Sequence, residues 1–583
     1  MRIRVIESLA PLFVAVAAIG SASTVGAQSL RLPGDSDTSR IRPPALPLPA
    51  TPSFDLRIES PERSAIPKAV DEIDFEVKAI VVEGVTAYRP DDVNAFFSKL
   101  KGRRITLSAL RKATEDLENQ YRRDGYFLVR VLIPPQRVSD GTFRVQVIEG
   151  FVENSFTQGG TVAAQSRVQA IIQKVVGKKP IDLQSLERVL LLLNDLPGVS
   201  GSGVLRQGQG LGGSELVVTL NDLPPTGLSA SFNNSASRVM GIYGLSLNAN
   251  FNNPLKDSLG QASLGYSTAL DNERLSALNG RYALPVGNEG MVLSVGALRA
   301  IAKPAGALRD LALESKSSSL TPRLRYPWQR SREQSVYLEA GLALNTSRTT
   351  LLNSEITKDK STVLDIAASV MRDRVFGGQG QATLSVAHGL DFFGAHDANT
   401  ESPSVNGFKQ RFFKLGFLGS WNYRFRPTTT LALTLQAQET QHKLLSGEQI
   451  AFGGAMIGRG YDGGAISGDR GYGVLAELQY RVPESVLAIP GVSNLMAFAF
   501  MDYAKAFTLE KASADIPGDS SILGSHGLGL RFTHGKGLSG ELMFAEARQR
   551  IDPIDPRNKT AFERAFGFLN DQTRVLFSLT QTY

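Results

Sequence analysis

The chain has 583 residues, with 63 Lys and Arg against 56 Asp and Glu, and a formal net charge of +7 at pH 7. It has no cysteine, which excludes a disulfide framework and thiolate metal sites. The five histidines never fall at the spacing of a metal-binding pair, and the basic residues form no dense run. The composition therefore predicts neither a metal centre nor nucleic-acid binding, and it indicates no cofactor.

The N-terminus has the pattern of a secretory signal peptide. Arg2 and Arg4 precede an apolar stretch of about a dozen residues, and small residues follow as far as Ala27. This apolar stretch is shorter than the ~20 residues that a membrane-spanning helix needs. Residues 1–27 are therefore predicted to be a signal peptide.

A proline-rich stretch follows the signal peptide. Residues 28–74 contain RLPGDSDTSRIRPPALPLPATPSF and few periodic apolar residues. Such a composition predicts an extended linker rather than a packed element. We expect this linker to lie in the periplasm, and the sequence leaves open whether a plug helix near residues 29–32 precedes it.

Two segments, residues 75–152 and 153–223, each have the pattern of a small α+β domain. In the first, the strand FEVKAIVVEG precedes two amphipathic helices and then the strands YFLVRVLIPPQ and TFRVQVIEG. Gly125 stands where a helix C-cap is expected, and Ser-Asp-Gly at 139–141 supplies the hairpin turn. In the second, helices are predicted at 166–176 and 183–193 and strands at 203–207 and 215–220.

Residues 224–583 change to strands with one apolar and one polar face. Leu338 and Leu342, for example, alternate with Glu339 and Gly341. Strands of about ten residues with this alternation are typical of a membrane barrel, because only a closed sheet pairs every backbone group. Soluble β-sandwiches and solenoids also alternate. The signal peptide favours the membrane barrel, as do the aromatic residues that suit an interface girdle, Trp421, Tyr423 and Phe425.

The two α+β segments resemble the POTRA domains of TpsB-type outer-membrane transporters of two-partner secretion. The matching stretches are VLIPPQRVSDGTFRVQVIEGFVE and LQSLERVLLLLNDLPGVSGSGVLRQGQGLGGSELVVTL. The resemblance implies an all-β transmembrane barrel of about 16 antiparallel strands, preceded by two POTRA domains. Both chain ends are then expected in the periplasm, which requires an even number of strands.

A glycine-rich stretch, GGAMIGRGYDGGAISGDRGYG at residues 453–473, contains the spacing G-x-G-x-x-G. The downstream segment alternates like a strand, whereas a dinucleotide site needs a helix there, so the match is interpreted as accidental. The stretch instead resembles the sixth extracellular loop of the same transporters, which folds back into the barrel lumen. The loop residues to which the resemblance assigns a function are Gly453, Gly454, Arg459, Gly460, Tyr461, Gly468, Asp469 and Gly471.

The family's loop arginine pairs with an aspartate in a Phe-x-Asp-x-Gly element on the barrel wall. Phe500 and Asp502 occupy the matching positions here, and Ala504 replaces the glycine. The resemblance therefore implies an ion pair between Arg459 and Asp502. An arginine fork gives a directional, charge-assisted bond to a carboxylate, so this pair is expected to fix the loop inside the lumen.

The function implied by the resemblance is transport. The chain is expected to form a pore in the outer membrane of a Gram-negative bacterium, as a monomer in contact with lipid. It would bind one large secreted exoprotein, an adhesin, haemolysin or toxin, and pass it unfolded to the cell surface. The sequence has no G-x-x-x-x-G-K-[ST] motif, so transport is expected to draw on folding of the cargo outside the cell.

Cargo recognition is expected in the POTRA domains, where an exposed sheet edge beside a helix offers a groove for an added strand. The predicted groove residues are Val145, Val147, Leu216 and Val218. An assembly factor for other outer-membrane barrels is the alternative function, although it usually carries more POTRA copies. A barrel enzyme lacks sequence support because no G-x-S-x-G motif is present, and a passive porin would leave the POTRA domains without a role.

Overall fold

The computed structural model describes residues 36–44, 46–49, 56–58, 74–138, 140–237, 240–270, 274–304, 306–396, 402–485, 490–509, 520–551 and 573–583. The predicted signal peptide and the candidate plug-helix positions 29–32 lie outside this set. None of the described helices has the length and hydropathy that a membrane span requires.

The first α+β domain contains a three-stranded sheet, in the order β3-β6-β5, and a separate two-stranded pair, β2-β4. The Thr106 side chain caps helix α2 by accepting from the backbone N–H of Ala109. The predicted order of strand, helix, helix, strand, strand is confirmed, with the short pair β2-β4 in addition. Its elements are β2 Asp74–Val77, β3 Ala79–Glu83, α1 Pro90–Phe97, β4 Arg103–Thr106, α2 Leu107–Arg123, β5 Arg130–Leu132 and β6 Thr142–Ile148.

The second α+β domain contains a four-stranded sheet in the order β1-β8-β9-β7. Its outermost strand, β1, comes from residues 56–58 of the proline-rich stretch. The first strand of the domain, β7, begins before position 153 and has little apolar alternation, which explains why the sequence pattern did not predict it. The elements are β1 Leu56–Ile58, β7 Phe151–Gly159, α3 Val162–Ile172, α4 Leu183–Asn194, β8 Val199–Gln207 and β9 Gly213–Asp222.

The remaining strands form a closed antiparallel barrel of 16 strands, as predicted. A short hairpin, β21 Ile450–Phe452 with β22 Ile466–Gly468, is a separate two-stranded sheet. The barrel strands are β10 Thr226–Asn233, β11 Gly244–Asn252, β12 Gln261–Ala269, β13 Leu275–Val286, β14 Met291–Ala302, β15 Glu314–Arg330, β16 Gln334–Leu351, β17 Ser354–Val375, β18 Gly378–Leu390, β19 Phe413–Arg426, β20 Thr429–Thr440, β23 Arg470–Arg481, β24 Val492–Phe507, β25 Ser520–His534, β26 Leu538–Ile551 and β27 Arg574–Thr582.

The barrel closes where its first strand, β10, pairs with its last strand, β27. Five residue pairs form this seam, from Ser229 with Thr582 to Asn233 with Ser578, whereas eight join β10 to β11. The predicted alternation is also confirmed, because Leu338 faces outward with 40% of its surface exposed while Glu339 bonds Arg325 inside the lumen. The closed barrel therefore encloses a polar lumen.

Part of the proline-rich stretch lies inside this lumen. We call residues 36–44 and 46–49 the lumenal segment. Thr38 bonds Ser315 and Ser317 near the start of β15, and Arg325 on the same strand binds the carbonyls of Leu46 and Pro47. The predicted periplasmic location is therefore wrong for this segment, because the polar lumen wall supplies hydrogen-bond partners for its main chain.

The second α+β domain is fixed against one end of the barrel. The Arg330 guanidinium forms two hydrogen bonds to Asp195, at 2.9 and 2.7 Å, and only 2% of the Arg330 side chain is exposed. Arg188 donates to the Pro327 carbonyl at 3.0 Å, and Lys174 donates to the Asn288 carbonyl at 2.8 Å. A bidentate pair of this kind fixes orientation as well as distance, so the second α+β domain has a defined orientation on this end of the barrel.

Candidate functional site in the barrel lumen

The glycine-rich stretch, residues 453–473, folds into the lumen from the hairpin β21-β22. We call it the lumenal loop. Tyr461 is 1% exposed and packs with Phe500 and Ala504 of strand β24 in one buried cluster. Ala504, which replaces the family's glycine, lies in this same contact and is fully buried. The loop is therefore held against the wall by apolar packing as well as by polar contacts.

Two of the predicted glycines are required by close approach. Gly453 has a φ of +112°, and a Cβ there would lie 2.2 Å from the Asp462 carbonyl oxygen. A Cβ on Gly460 would lie 2.8 Å from the Ser525 side chain and 2.9 Å from the Ala547 nitrogen. A side chain at position 453 would therefore clash within the loop, and a side chain at position 460 would push the loop away from the barrel wall.

The arginine at the loop tip has a different partner from the one predicted. Arg459 Nη1 donates to Glu477 Oε2 at 2.6 Å, and its guanidinium lies 4.8 Å from the ring centroid of Phe500. The ion pair between Arg459 and Asp502 is therefore a wrong prediction. In the register of β23 with β24, Glu477 stands opposite Phe500, one inward-facing position away from Asp502.

Asp502 nevertheless holds the same loop through its backbone. Its carboxylate accepts from the Arg459 N–H at 3.0 Å and from both the N–H and the hydroxyl of Ser525. The Ser525 hydroxyl in turn accepts from the Gly460 N–H at 3.0 Å. Asp502 thus fixes the main chain of the loop tip, while Glu477 fixes its side chain.

Three residues of this site were not predicted from the sequence: Glu477, Ser525 and Arg531. Arg531 donates to both carboxylate oxygens of Glu477 and pairs with Glu541 at 2.6 Å. Its guanidinium also lies 4.0 Å from the ring centroid of Phe498. The alternation of apolar and polar residues in GYGVLAELQYRV places Glu477 on the lumen face. A carboxylate on that face, next to the glycine-rich stretch in the sequence, could have indicated the partner of the loop arginine.

The base of the lumenal loop depends on Asp469. This buried carboxylate accepts from the N–H groups of Leu444 and Leu509 and from the Gln449 side chain. It therefore ties the loop base to the chain before it and to the chain after strand β24. The flanking glycines Gly468 and Gly471 lie against strand β24, where an added Cβ would come within 2.5 Å of main-chain atoms.

A second carboxylate near the loop base, Glu448, binds the lumenal segment. It accepts from Arg42 at 2.9 Å and from Lys414 at 2.9 Å. Burial alone would raise the pKa of Glu448, but the Lys414 and Arg42 charges outweigh it and lower this pKa to about 2. Glu448 is therefore ionised at neutral pH and links Arg42 of the lumenal segment to Lys414 of the barrel wall.

The four predicted groove residues are not groove residues in this structure. Val145 and Leu216 are 0% exposed, and Val147 and Val218 are also buried. Their strands, β6 and β9, each have a hydrogen-bonded neighbour on both sides, so neither strand offers an edge. This prediction is wrong because an apolar strand pattern shows which face is buried but not the position of the strand in the sheet.

The sheet edges lie elsewhere. In the first α+β domain the short strand β5 is at one edge, next to helix α2, and Glu118 of that helix accepts from the Val131 N–H. In the second domain the β8 edge is covered by β1, which pairs with it in parallel from Leu56–Gly203 to Ile58–Leu205. The chain thus covers one of its own sheet edges with three residues.

Comparisons with known proteins agree with this architecture. The family model described as haemolysin secretion/activation protein ShlB/FhaC/HecB matches residues 212–532, and the one described as POTRA domain, ShlB-type, matches residues 75–150. The heme/hemopexin transporter protein HuxB of Haemophilus influenzae (strain 86-028NP) is 23% identical over 460 residues, which are 76% of this chain and 78% of HuxB. The hemolysin transporter protein HpmB of Proteus mirabilis is 24% identical over 410 residues, 68% of this chain and 70% of HpmB.

Among solved structures, CdiB from Escherichia coli covers 90% of this chain and 93% of its own chain, with a TM-score of 0.70 and 21% identity. That likeness shows the fold. A closed barrel preceded by POTRA domains is the architecture of an outer-membrane protein whose POTRA domains lie in the periplasm. Because the first family model covers more than half of the chain, the protein belongs to the ShlB/FhaC/HecB family and is a transporter of two-partner secretion.

The contacts of Arg459 generate a specific prediction. Replacing Arg459 with Ala removes an exposed hydrogen bond to the Ala455 carbonyl and the charged hydrogen bond to Glu477. The bond to Glu477 contributes about 2 kcal/mol, so its loss shifts the loop toward its released form about thirtyfold. Arg531 still neutralises Glu477, so the barrel should fold and insert normally. Because the loop tip then loses its defined position on the wall, we expect secretion of the cargo to fall at least tenfold. Secretion is measured by immunoblot of the medium, with heat-modifiable migration as the folding check.

Arg470→Ala is the matched control, because Arg470 lies in the same signature but its contact with Glu439 is 3.4 Å long and exposed. Glu477→Gln should reproduce the Arg459→Ala defect. Normal secretion by folded Arg459→Ala would remove the loop tip from the mechanism.

Proposed function

We propose that this protein recognises one secreted exoprotein in the periplasm and passes it, unfolded, through the barrel lumen to the cell surface. It would act as a monomer embedded in outer-membrane lipid, after export directed by residues 1–27. The observation that carries the proposal is a closed barrel with a POTRA domain docked at one end and a lumen filled by elements of the chain itself. Such a lumen is useful for controlled passage and unsuited to passive diffusion.

Polar contacts hold the two elements that fill the lumen, which are the lumenal loop and the lumenal segment. The lumenal loop is attached through Glu477, Asp502 and Asp469, and the lumenal segment through Glu448 and Arg325. Each such contact contributes on the order of 1–3 kcal/mol, which a favourable cargo interaction can offset. Transport then requires rearrangement inside the barrel and no catalytic group.

Recognition of the cargo is assigned to the POTRA sheet edges. Strand addition binds an extended chain through its main chain, and an unfolded cargo presents such a chain. The β8 edge of the second domain already accepts an added strand, because residues 56–58 pair with it. We therefore assign cargo binding to this edge and to the β5 edge, in place of the buried valines and leucine.

The alternative function, assembly of other outer-membrane barrels, is less well supported. The family model and the relatives HuxB and HpmB are those of transporters or of secretion/activation proteins. HuxB is named for heme/hemopexin transport and HpmB for hemolysin transport, so an exoprotein is the partner class that their names favour.

The two functions are separated by one experiment. Mass spectrometry is applied to the culture medium and the outer-membrane fraction of the native host, with and without this chain. We expect loss of one large protein from the medium, while the other outer-membrane barrels stay within twofold of their normal amounts. A broad fall in many barrels would identify an assembly factor and contradict the proposal.

The β8 edge has its own test, with the exoprotein found in that experiment as the ligand. Leu56 packs against the core of the second domain, so Leu56→Asp should weaken strand β1 by about 1 kcal/mol and free the edge. We expect the full-length variant to bind the urea-unfolded exoprotein about fivefold more tightly in surface plasmon resonance. Arg57→Ala, at an exposed position of the same strand, should stay within twofold. Unchanged or weaker binding by Leu56→Asp would exclude the β8 edge.

A further inference from the structure

The lumenal segment begins with a short 3-10 helix, Thr38–Arg40, and then continues along the barrel wall without regular secondary structure. Thr38 lies beside Ser315, and Leu46 and Pro47 lie beside Arg325, ten positions further along strand β15. At about 3.3 Å per residue, these positions are roughly 33 Å apart along the strand. Ten positions match the about 9–11 residues with which a tilted β-strand crosses a membrane, so the contacts of the segment extend over one membrane-crossing length of the wall.

The proline-rich half of this segment, residues 43–44 and 46–49, is held through its carbonyl groups. Arg281 Nη1 donates to the Pro44 carbonyl at 3.1 Å, and Arg325 Nη1 donates to the Pro47 carbonyl at 2.7 Å. Arg325 Nη2 donates to the Leu46 carbonyl as well. Proline has no N–H, so this stretch offers mainly acceptors, and the barrel wall supplies the donors.

Arg325 is held in place for this contact by its neighbours on the wall. Its Nε donates to Glu339 at 2.6 Å, and its guanidinium lies 5.8 Å from the ring centroid of Tyr337. The residue as a whole is only 6% exposed. With Nε and the aromatic face occupied, the two Nη groups form a fixed fork that points at the main chain in the lumen.

We infer that Arg325, assisted by Arg281, is a main-chain binding site for the extended polypeptide in transit, which the lumenal segment occupies at rest. This inference rests on the proposed function, because it requires a cargo that enters the lumen. Carbonyl groups occur at every residue, so such a site binds an unfolded chain whatever its sequence. Hydrogen bonds to carbonyls also exchange one residue at a time, which allows the chain to slide past a fixed donor.

The inference and a purely structural role for Arg325 lead to opposite results. If Arg325 only restrains the lumenal segment, Arg325→Gln frees the lumen, and secretion stays the same or rises. If Arg325 also binds the cargo, the same variant opens the pore yet secretes more slowly.

The test measures both quantities on the full-length chain. Conductance of the purified protein is recorded in planar lipid bilayers, and the rate of exoprotein release is measured in the native host. We expect Arg325→Gln to raise the open fraction at least threefold and to lower the release rate at least tenfold. Arg325→Lys keeps the charge but loses the fork, so its release rate should lie between those of Arg325→Gln and the unaltered protein. It also provides a second folded variant if Arg325→Gln does not insert.

Arg323→Gln is the matched control. Arg323 faces the lumen two positions away on the same strand and pairs with Asp365 at 2.9 Å, and this variant should release the exoprotein within twofold of the normal rate. Release by Arg325→Gln or Arg325→Lys at or above that rate would overturn the inference. A host that lacks the whole chain is run in parallel, and continued release there would show instead that the proposed function has failed.

Discussion

Closure of the barrel between strands β10 and β27 is the constraint on which the rest of the structure depends. In a membrane every backbone N–H and C=O must be paired, so the first and last strands must meet. The five residue pairs of that seam complete the sheet and make the lumen a sealed passage. Cargo that uses this passage must therefore displace whatever fills it.

The filling is polar and specific. Glu477 is shared by Arg459 of the loop and Arg531 of the wall, and Glu448 is shared by Arg42 of the lumenal segment and Lys414 of the wall. Arg459 and Arg42 thus each share a carboxylate with a wall cation. Displacement of either element would leave that carboxylate with its wall partner, so no buried charge would be left uncompensated.

The barrel and the POTRA elements could be predicted from the sequence because they depend on local patterns. The alternation of Leu338 with Glu339 indicates both a strand and the direction in which its side chains face. Gly125, with a φ of +93°, follows the end of helix α2 as its position in the sequence predicts. The partner of Arg459 could not be predicted in this way, because Glu477 and Asp502 differ only in their register on neighbouring strands. The prediction of the groove residues was wrong for a related reason, since the sequence pattern around Val145 is the same for a central strand as for an edge strand.

The location of the lumenal segment was also beyond the sequence pattern. Its contacts with Arg281 and Arg325 use backbone carbonyls, and these are present in every stretch of chain. A proline-rich composition predicts an extended linker rather than a packed element, whereas Thr38–Arg40 form a 3-10 helix and Leu56–Ile58 pair as a strand. Composition carries no information about what surrounds the backbone. Only the folded barrel shows that the wall arginines face it.

Passage of cargo through the lumen requires the lumenal segment to move, and the absence of native cysteine allows a direct measurement. The hydroxyls of Thr38 and Ser315 lie 2.9 Å apart, so Thr38→Cys combined with Ser315→Cys places two thiols within reach of a disulfide. The release rate of the exoprotein is compared between the oxidised and the reduced double variant in the same cells. We expect release to stop on oxidation and to recover when a reductant is added. Equal release from the two forms would show that cargo does not need the space that the lumenal segment occupies, and would contradict transport through this lumen.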